Sequence, residues 1–245
     1  MNNLYNDEHL ILYRELLAGV KGMEKDGATA YQFCCCGKDY MANTEKRFMV
    51  IGRVINGWDS NINECVEKVM AADSNPDILE FIDIHGTRSA FWRVTKDVVK
   101  RLGMDGVDNW YDNLTWNNLY KVGPSGGGNP KEKVFQAQYA SCNRILKYEI
   151  NTLQPKYILF ITGWWFSPFV SGIYNERLKV DMNDGLSFNV NHNNPSNDSI
   201  VIGTGKIELE GFDSKVVLCH RPEARQGGEE KSKNEIIKAF ESLKG

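Results

Sequence analysis

The chain has 245 residues, a formal net charge of −3 and 42% hydrophobic residues. That composition supplies a substantial core, and the weak charge excludes a protein whose whole surface is given over to duplex DNA. No apolar stretch approaches the ~20 residues that span a membrane, and the opening MNNLYNDEHL lacks the order of a secretory signal, so a cytoplasmic protein with no membrane partner is expected.

Taken in chain order, Asp7 to Gly19 places Leu10, Ile11, Leu16 and Leu17 on one face behind a cap at Asn6 or Asp7, which predicts a helix. Phe48 to Ile51 is an apolar run too short for a helix. It ends at Gly52 and therefore reads as a buried strand with a sharp turn at its carboxyl end. Helical patterns follow over Asn61 to Ala72 and Ser89 to Leu102, the second stopped by Gly103. Leu114 to Val122 is a second strand, apolar and aromatic but broken by Asn117 and Asn118.

The glycine-rich piece Gly123 to Pro130 lacks the Lys-Ser/Thr of a nucleotide P-loop and predicts a flexible loop. It leads into a long helix from Lys131 to Leu153, ended by Pro155. Tyr157 to Gly163 is a third strand. Asp181 to Asp198, rich in Asn, Asp and Ser, predicts a long surface loop. Ile200 to Ile202 and Ile207 to Leu209, set around Gly-Thr-Gly-Lys, predict a hairpin. Lys215 to Arg221 is a last strand closing in His220, and Lys231 to Leu243 a last helix. Strands separated by helical patterns are the signature of βα crossovers, so the fold class is α/β with a largely parallel sheet. No Pro/Ser linker divides the chain, which reads as one domain.

The six cysteines show no paired CxxC spacing. Cys34, Cys35 and Cys36 are adjacent and Cys65, Cys142 and Cys219 are scattered, so all read as reduced thiols, with no metal and no cofactor expected. Lys121, Lys131, Lys133, Arg221 and Arg225 form a candidate basic patch near the strand ends, or plain solvated surface.

The segments GRVINGW, WNNLYK, PKYILFITG and VVLCHRPEARQ, in this order, resemble the uracil-DNA glycosylase superfamily over Arg47 to the end of the chain. The resemblance implies a three-layer α/β/α sandwich with a central, mostly parallel four-stranded sheet, to which the hairpin is an insert. It implies hydrolysis of the N-glycosidic bond of a damaged or deaminated base, with DNA, a nucleotide or a nucleobase as partner. Gly52 matches the leading glycine of the first loop, Asn117 or Asn118 the amide that reads the flipped base, and His220 the imidazole that stabilises the departing base.

The first loop departs from the family, with Val54 in its third position and no proline. Asn56 is then the residue left to position water, although an amide cannot take a proton. Asp59 is the nearest carboxylate and reads first as a cap for the following helix. Arg53, Gly57, Trp58, Trp116, Lys121, Gly163, Arg221 and Arg225 complete the implied base-binding surface.

Each side chain has a structural reading as well. His220 equally suits a strand-end histidine bonded to backbone, and Trp58, Trp116, Trp164 and Trp165 suit core packing. Neighbours on a strand face opposite ways, so only one of Asn117 and Asn118 can enter a pocket, and Asn118 is assigned there. With no acid in the loop, a relative that binds a base without cleaving it is the alternative. A small-molecule hydrolase using the same strand ends is a third.

Overall fold

The structure is a computed structural model, and it describes residues 5–55, 60–73, 77–169, 188–191, 199–209, 211–222 and 228–243. Helix α1 (Asp7–Gly19) starts where extended Asn6 accepts the His9 N–H at 3.1 Å. That side chain satisfies one of the donors a first turn leaves unpaired. Two short strands follow, β1 (Ala30–Tyr31) and β2 (Cys35–Cys36), neither of which has a sequence signal of its own.

The core of the molecule is a set of parallel strands. β3 (Phe48–Val54) pairs in parallel with β4 (Leu114–Tyr120) on one side and β6 (Tyr157–Ile161) on the other, and β6 pairs in parallel with β9 (Phe212–Cys219). Phe48 and Val50 enter one apolar cluster while Met49 and Ile51 enter another. Burial on both faces is why these strands read as continuous apolar runs rather than alternating ones. Helices α1, α2 (Val66–Asp73) and α5 (Glu132–Leu153) cover the face of Met49 and Ile51, and α3 (Asp77–His85), α4 (Ala90–Arg101) and α6 (Gly228–Ser242) the face of Phe48 and Val50.

The predicted hairpin is not formed. Its two runs join into one strand, β8 (Val201–Leu209), which pairs antiparallel with β9 along its length and with β7 (Phe188–Asn191) over Thr204 to Ile207. Gly203 and Gly205 pass through the strand interior, and a register shift between Val201 and Gly203 absorbs the irregularity. The reversal comes at Gly211, whose φ of 87° lies in the left-handed region that glycine adopts without strain.

The four-stranded sheet with an insert is thereby corrected, among the described residues, to a seven-stranded sheet of order β2-β4-β3-β6-β9-β8-β7. β7 also falls inside the stretch expected to be loop, the rest of which lies outside the described residues.

One helix boundary differs from the periodicity. Asn61 Oδ1 accepts the Asn63 N–H at 2.9 Å and the Glu64 carboxylate accepts the Asn61 N–H at 3.1 Å. These local bonds hold a turn and delay the helix to Val66. α3 itself was not legible as a separate element.

A buried arginine fastens the sheet to α5. Arg47 donates from Nε to the Tyr40 carbonyl at 3.1 Å, from Nη1 to Leu153 at 3.2 Å and from Nη2 to Met41 at 2.8 Å. Leu153 ends α5, so the guanidinium supplies a donor to a carbonyl with no further helical partner. β5 (Val122–Gly123) pairs with β1 and closes the chain against the carboxyl end of β4.

Candidate functional site

A cavity of about 890 Å³ opens at the carboxyl ends of β3 and β4. From β3 the chain crosses to β4 on one side and later returns to β6 on the other, so the cavity sits beside a topological switch point, the usual ligand position in such sheets. β3 supplies Gly52 and Arg53, β4 supplies Trp116 and Asn118, α4 supplies Phe91 and Trp92, and Arg221 reaches it from the segment after β9. Phe91 meets Trp92 edge-on at 4.9 Å, and Trp92 meets Trp116 edge-on at 5.1 Å. One wall is therefore a mutually braced aromatic surface.

Asn118 is buried, and three contacts fix it. Its backbone N–H donates to Asn117 Oδ1 at 2.8 Å, and its Nδ2 donates to Gln32 Oε1 at 3.0 Å. Its Oδ1 lies 2.4 Å from where a Cβ on Gly52 would stand. The same vacant position is 3.7 Å from Phe91, a cavity wall, so Oδ1 is on the cavity side of β4. Asp73 also lines the cavity and is buried, and its Oδ2 accepts the Phe33 N–H at 2.7 Å. The Arg53 guanidinium lies 5.0 Å over the Trp165 ring.

His220 is half-buried beside this cavity and is not one of its walls. Its backbone N–H donates to the Ile200 carbonyl at 2.9 Å. Its ring is edge-on to Trp164 at 6.2 Å, and Nδ1 is 3.7 Å from the Cβ position of Gly163. The structure thus brings Gly52, Arg53, Trp116, Asn118 and Arg221 to one cavity and places His220 with Gly163 at its side. Asn56, Gly57, Trp58, Asp59 and Arg225 lie outside the described residues.

Asn117 and Lys121 are elsewhere, which corrects their assignment to the base-binding surface. Asn117 faces α5, where its Nδ2 donates to Glu149 Oε2 at 2.7 Å. Lys121 is buried, donates to the same Glu149 oxygen at 2.7 Å and also bonds Asn117 Oδ1. On the other carboxylate oxygen, His9 Nε2 lies at 3.2 Å.

Burial pushes the Glu149 carboxyl up, but the Lys121 ammonium and the His9 hydrogen bond outweigh it and hold the group low, at about 2. Lys121 is therefore an internal counter-charge rather than a surface cation, because the link between β4 and β5 brings it against Glu149 of α5. The basic patch shrinks further, since Lys131 and Lys133 pair with Asp26.

Burial also raises the thiols of Cys34, Cys35, Cys142 and Cys219. Among the described residues no group of His, Cys, Asp or Glu is arranged to hold a metal ion, and no helix is long and apolar enough to cross a membrane.

The sequence reading missed Gln32, Asp73, Phe91 and Trp92. Trp92 had the signal of a core residue on a helix. Gln32 precedes every recognised segment, and only the tertiary structure brings it to Asn118. No family model and no curated protein matches the chain.

Proposed function

We propose that the cavity takes a nucleobase, and that the protein is a uracil-DNA glycosylase-like enzyme acting on the N-glycosidic bond of a damaged or deaminated base. The observation that carries this reading is the convergence of Gly52, Asn118 and Arg221, from three separate strand ends, on one cavity with an aromatic wall. A carboxamide offers an acceptor and a donor side by side and so matches the carbonyl and ring N–H of a base edge. Trp92 and Trp116 supply a surface against which a planar ring can lie, and a base–aromatic stack is worth about 1–3 kcal/mol. Arg53 and Arg221 provide positive charge at the same cavity for a phosphate backbone.

Cleavage requires charge to be stabilised on the departing base and water to be held at the sugar. His220 precedes Arg221 directly, which keeps its imidazole at the side of the cavity. Asp73 is a buried carboxylate lining the cavity and is the acceptor there for that water, a group the first loop lacks.

Binding without cleavage is the second reading. The position of His220 outside the cavity wall and the absence of a carboxylate between Gly52 and Ile55 favour it.

The deciding experiment is a cleavage assay on single- and double-stranded oligonucleotides bearing uracil, hypoxanthine or xanthine, run beside a low-salt binding assay. Abasic product that falls at least about tenfold in His220→Ala supports the enzyme. Binding without product supports the second reading. Neither cleavage nor binding removes both.

A further inference from the structure

We infer that Gln32, outside the strand-end segments, sets the orientation of the Asn118 carboxamide and with it the base edge the cavity accepts; this rests on the base-pocket reading above. The Gln32 main chain is held on both sides. Its N–H donates to the Lys121 carbonyl at 3.1 Å, and its carbonyl accepts the Tyr13 hydroxyl at 2.8 Å. The buried side chain then spans two partners, with Oε1 accepting from Asn118 Nδ2 at 3.0 Å and Nε2 directed at Cys35 Sγ, 3.7 Å away.

A primary amide has donor and acceptor ends of nearly the same shape. Two facing amides can therefore turn over together unless a third group distinguishes the two arrangements. Cys35 is that group. Its S–H is directed at the Phe33 carbonyl at 3.7 Å, which leaves the sulfur to accept from Gln32 Nε2.

The polarity runs in one direction from there: Phe33 C=O accepts from Cys35, Cys35 sulfur from Gln32, and Gln32 Oε1 from Asn118. Asn118 Oδ1 is left on the side of Gly52 and Phe91. The reversed arrangement would make the thiol give up the Phe33 carbonyl. It would also press an NH2 group against the Gly52 Cα hydrogens, where an oxygen is attracted and an N–H repelled.

An oxygen fixed at that point accepts a ring N–H. Uracil presents a ring N–H beside a carbonyl, whereas cytosine presents a bare ring nitrogen beside an amino group. A fixed carboxamide therefore separates the two bases, and one free to turn over does not.

Two measurements on the full chain test this. One is the NMR of the Asn118 side-chain amide, including the coupling across the hydrogen bond between Asn118 Nδ2 and Gln32 Cδ. The other is the ratio of dissociation constants for uracil and cytosine in wild type, Gln32→Leu and Gln32→Glu. Wild type is expected to show the coupling and to prefer uracil by about tenfold or more, the scale of one well-placed pair. In Gln32→Leu the amide protons exchange faster and the preference falls to within about threefold, because either orientation is then open. Gln32→Glu, with a protonated carboxyl that still accepts from Asn118 and donates to Cys35, retains the preference. Simple loss of fold in Gln32→Leu weakens both bases together and leaves the wild-type coupling in place, so it does not imitate this pattern.

An unaltered uracil preference in Gln32→Leu, or no coupling in wild type, overturns the role of Gln32 and leaves the base pocket standing. Failure of wild type to bind either base, with the coupling present, overturns the base-pocket reading and the part of Gln32 in base choice together.

Discussion

Asn118 Oδ1 occupies the space that a side chain on Gly52 would need, 2.4 Å from the position of its Cβ. The two residues are register partners on adjacent parallel strands. A glycine within β3 is therefore required by its neighbour's side chain and not by a strained backbone. It lets the Asn118 amide lie against β3 at the cavity.

Gly52→Ala should consequently separate stability from binding. The methyl group displaces the end of one short side chain and no backbone, so the stability loss is expected to stay within about 1–3 kcal/mol, the usual range for mild overpacking. Asn118, however, must leave its place between Gln32 and Gly52, and base binding should weaken at least about tenfold, the loss expected when one well-made bidentate contact goes. Urea denaturation and titration with uracil measure the two effects. Wild-type affinity in a folded Gly52→Ala protein would show that Asn118 does not touch the ligand.

Lys121 and Glu149 are each almost wholly removed from solvent, at 1% and 0% side-chain exposure. Removing one partner leaves the other charged in a low-dielectric interior, which typically costs about 3–5 kcal/mol. Lys121→Met and Glu149→Gln should each lower the unfolding free energy, read from urea denaturation, by that order. The double variant should be more stable than either single one, since it removes both charges together. A double variant less stable than both singles would mean that the pair contributes through its hydrogen bonds to Asn117 and His9 and not through charge balance.

How far the chain can be read ahead of its structure follows from which forces decide each element. Strands buried on both faces, such as Phe48 to Ile51 and Tyr157 to Ile161, are visible because hydrophobic burial writes itself into consecutive residues. α1 is visible to its first residue because its cap is local. Gly203-Thr204-Gly205-Lys206 reads as a turn because those residues are turn formers. Pairing with β7 and β9 on either side outweighed that propensity.

The same division runs through the site. Gly52 and Asn118 stood out because a glycine ending an apolar run and an amide interrupting another are local anomalies. Lys121 looked like an exposed cation because its counter-charge, Glu149, is a surface-type residue on a helix 28 positions away. Gln32 had no local signal at all, since its meaning comes from the atoms of Asn118 and Cys35 that the fold brings to it.

Arg47 provides a test of the frame that holds the cavity. Its guanidinium serves three backbone carbonyls, from Tyr40, Met41 and Leu153, in one planar fork. A lysine has a single ammonium and cannot reproduce that geometry. Arg47→Lys is therefore expected to lose about 1–3 kcal/mol, the cost of leaving buried acceptors unpaired, and Arg47→Ala somewhat more through lost packing. Chemical denaturation measures both. Equal stability of Arg47→Lys and wild type would show that the carbonyls find water instead.

Acid should act on the Glu149 cluster with a definite sign. In the folded protein the carboxyl titrates at about 2, while in the unfolded chain a glutamate titrates near its ordinary ~4.3. Below neutrality the unfolded state thus takes up a proton before the folded state does, and protonation favours unfolding. The stabilisation from this group is complete above about pH 5 and declines as pH falls from there toward 2. Urea midpoints for wild type and Glu149→Gln, measured at intervals from pH 7 to pH 2.5, should differ most at the neutral end and converge toward the acid end. A difference that stays constant across the range would mean that the Glu149 carboxyl titrates alike in the folded and unfolded states, so that Lys121 and His9 do not hold it low.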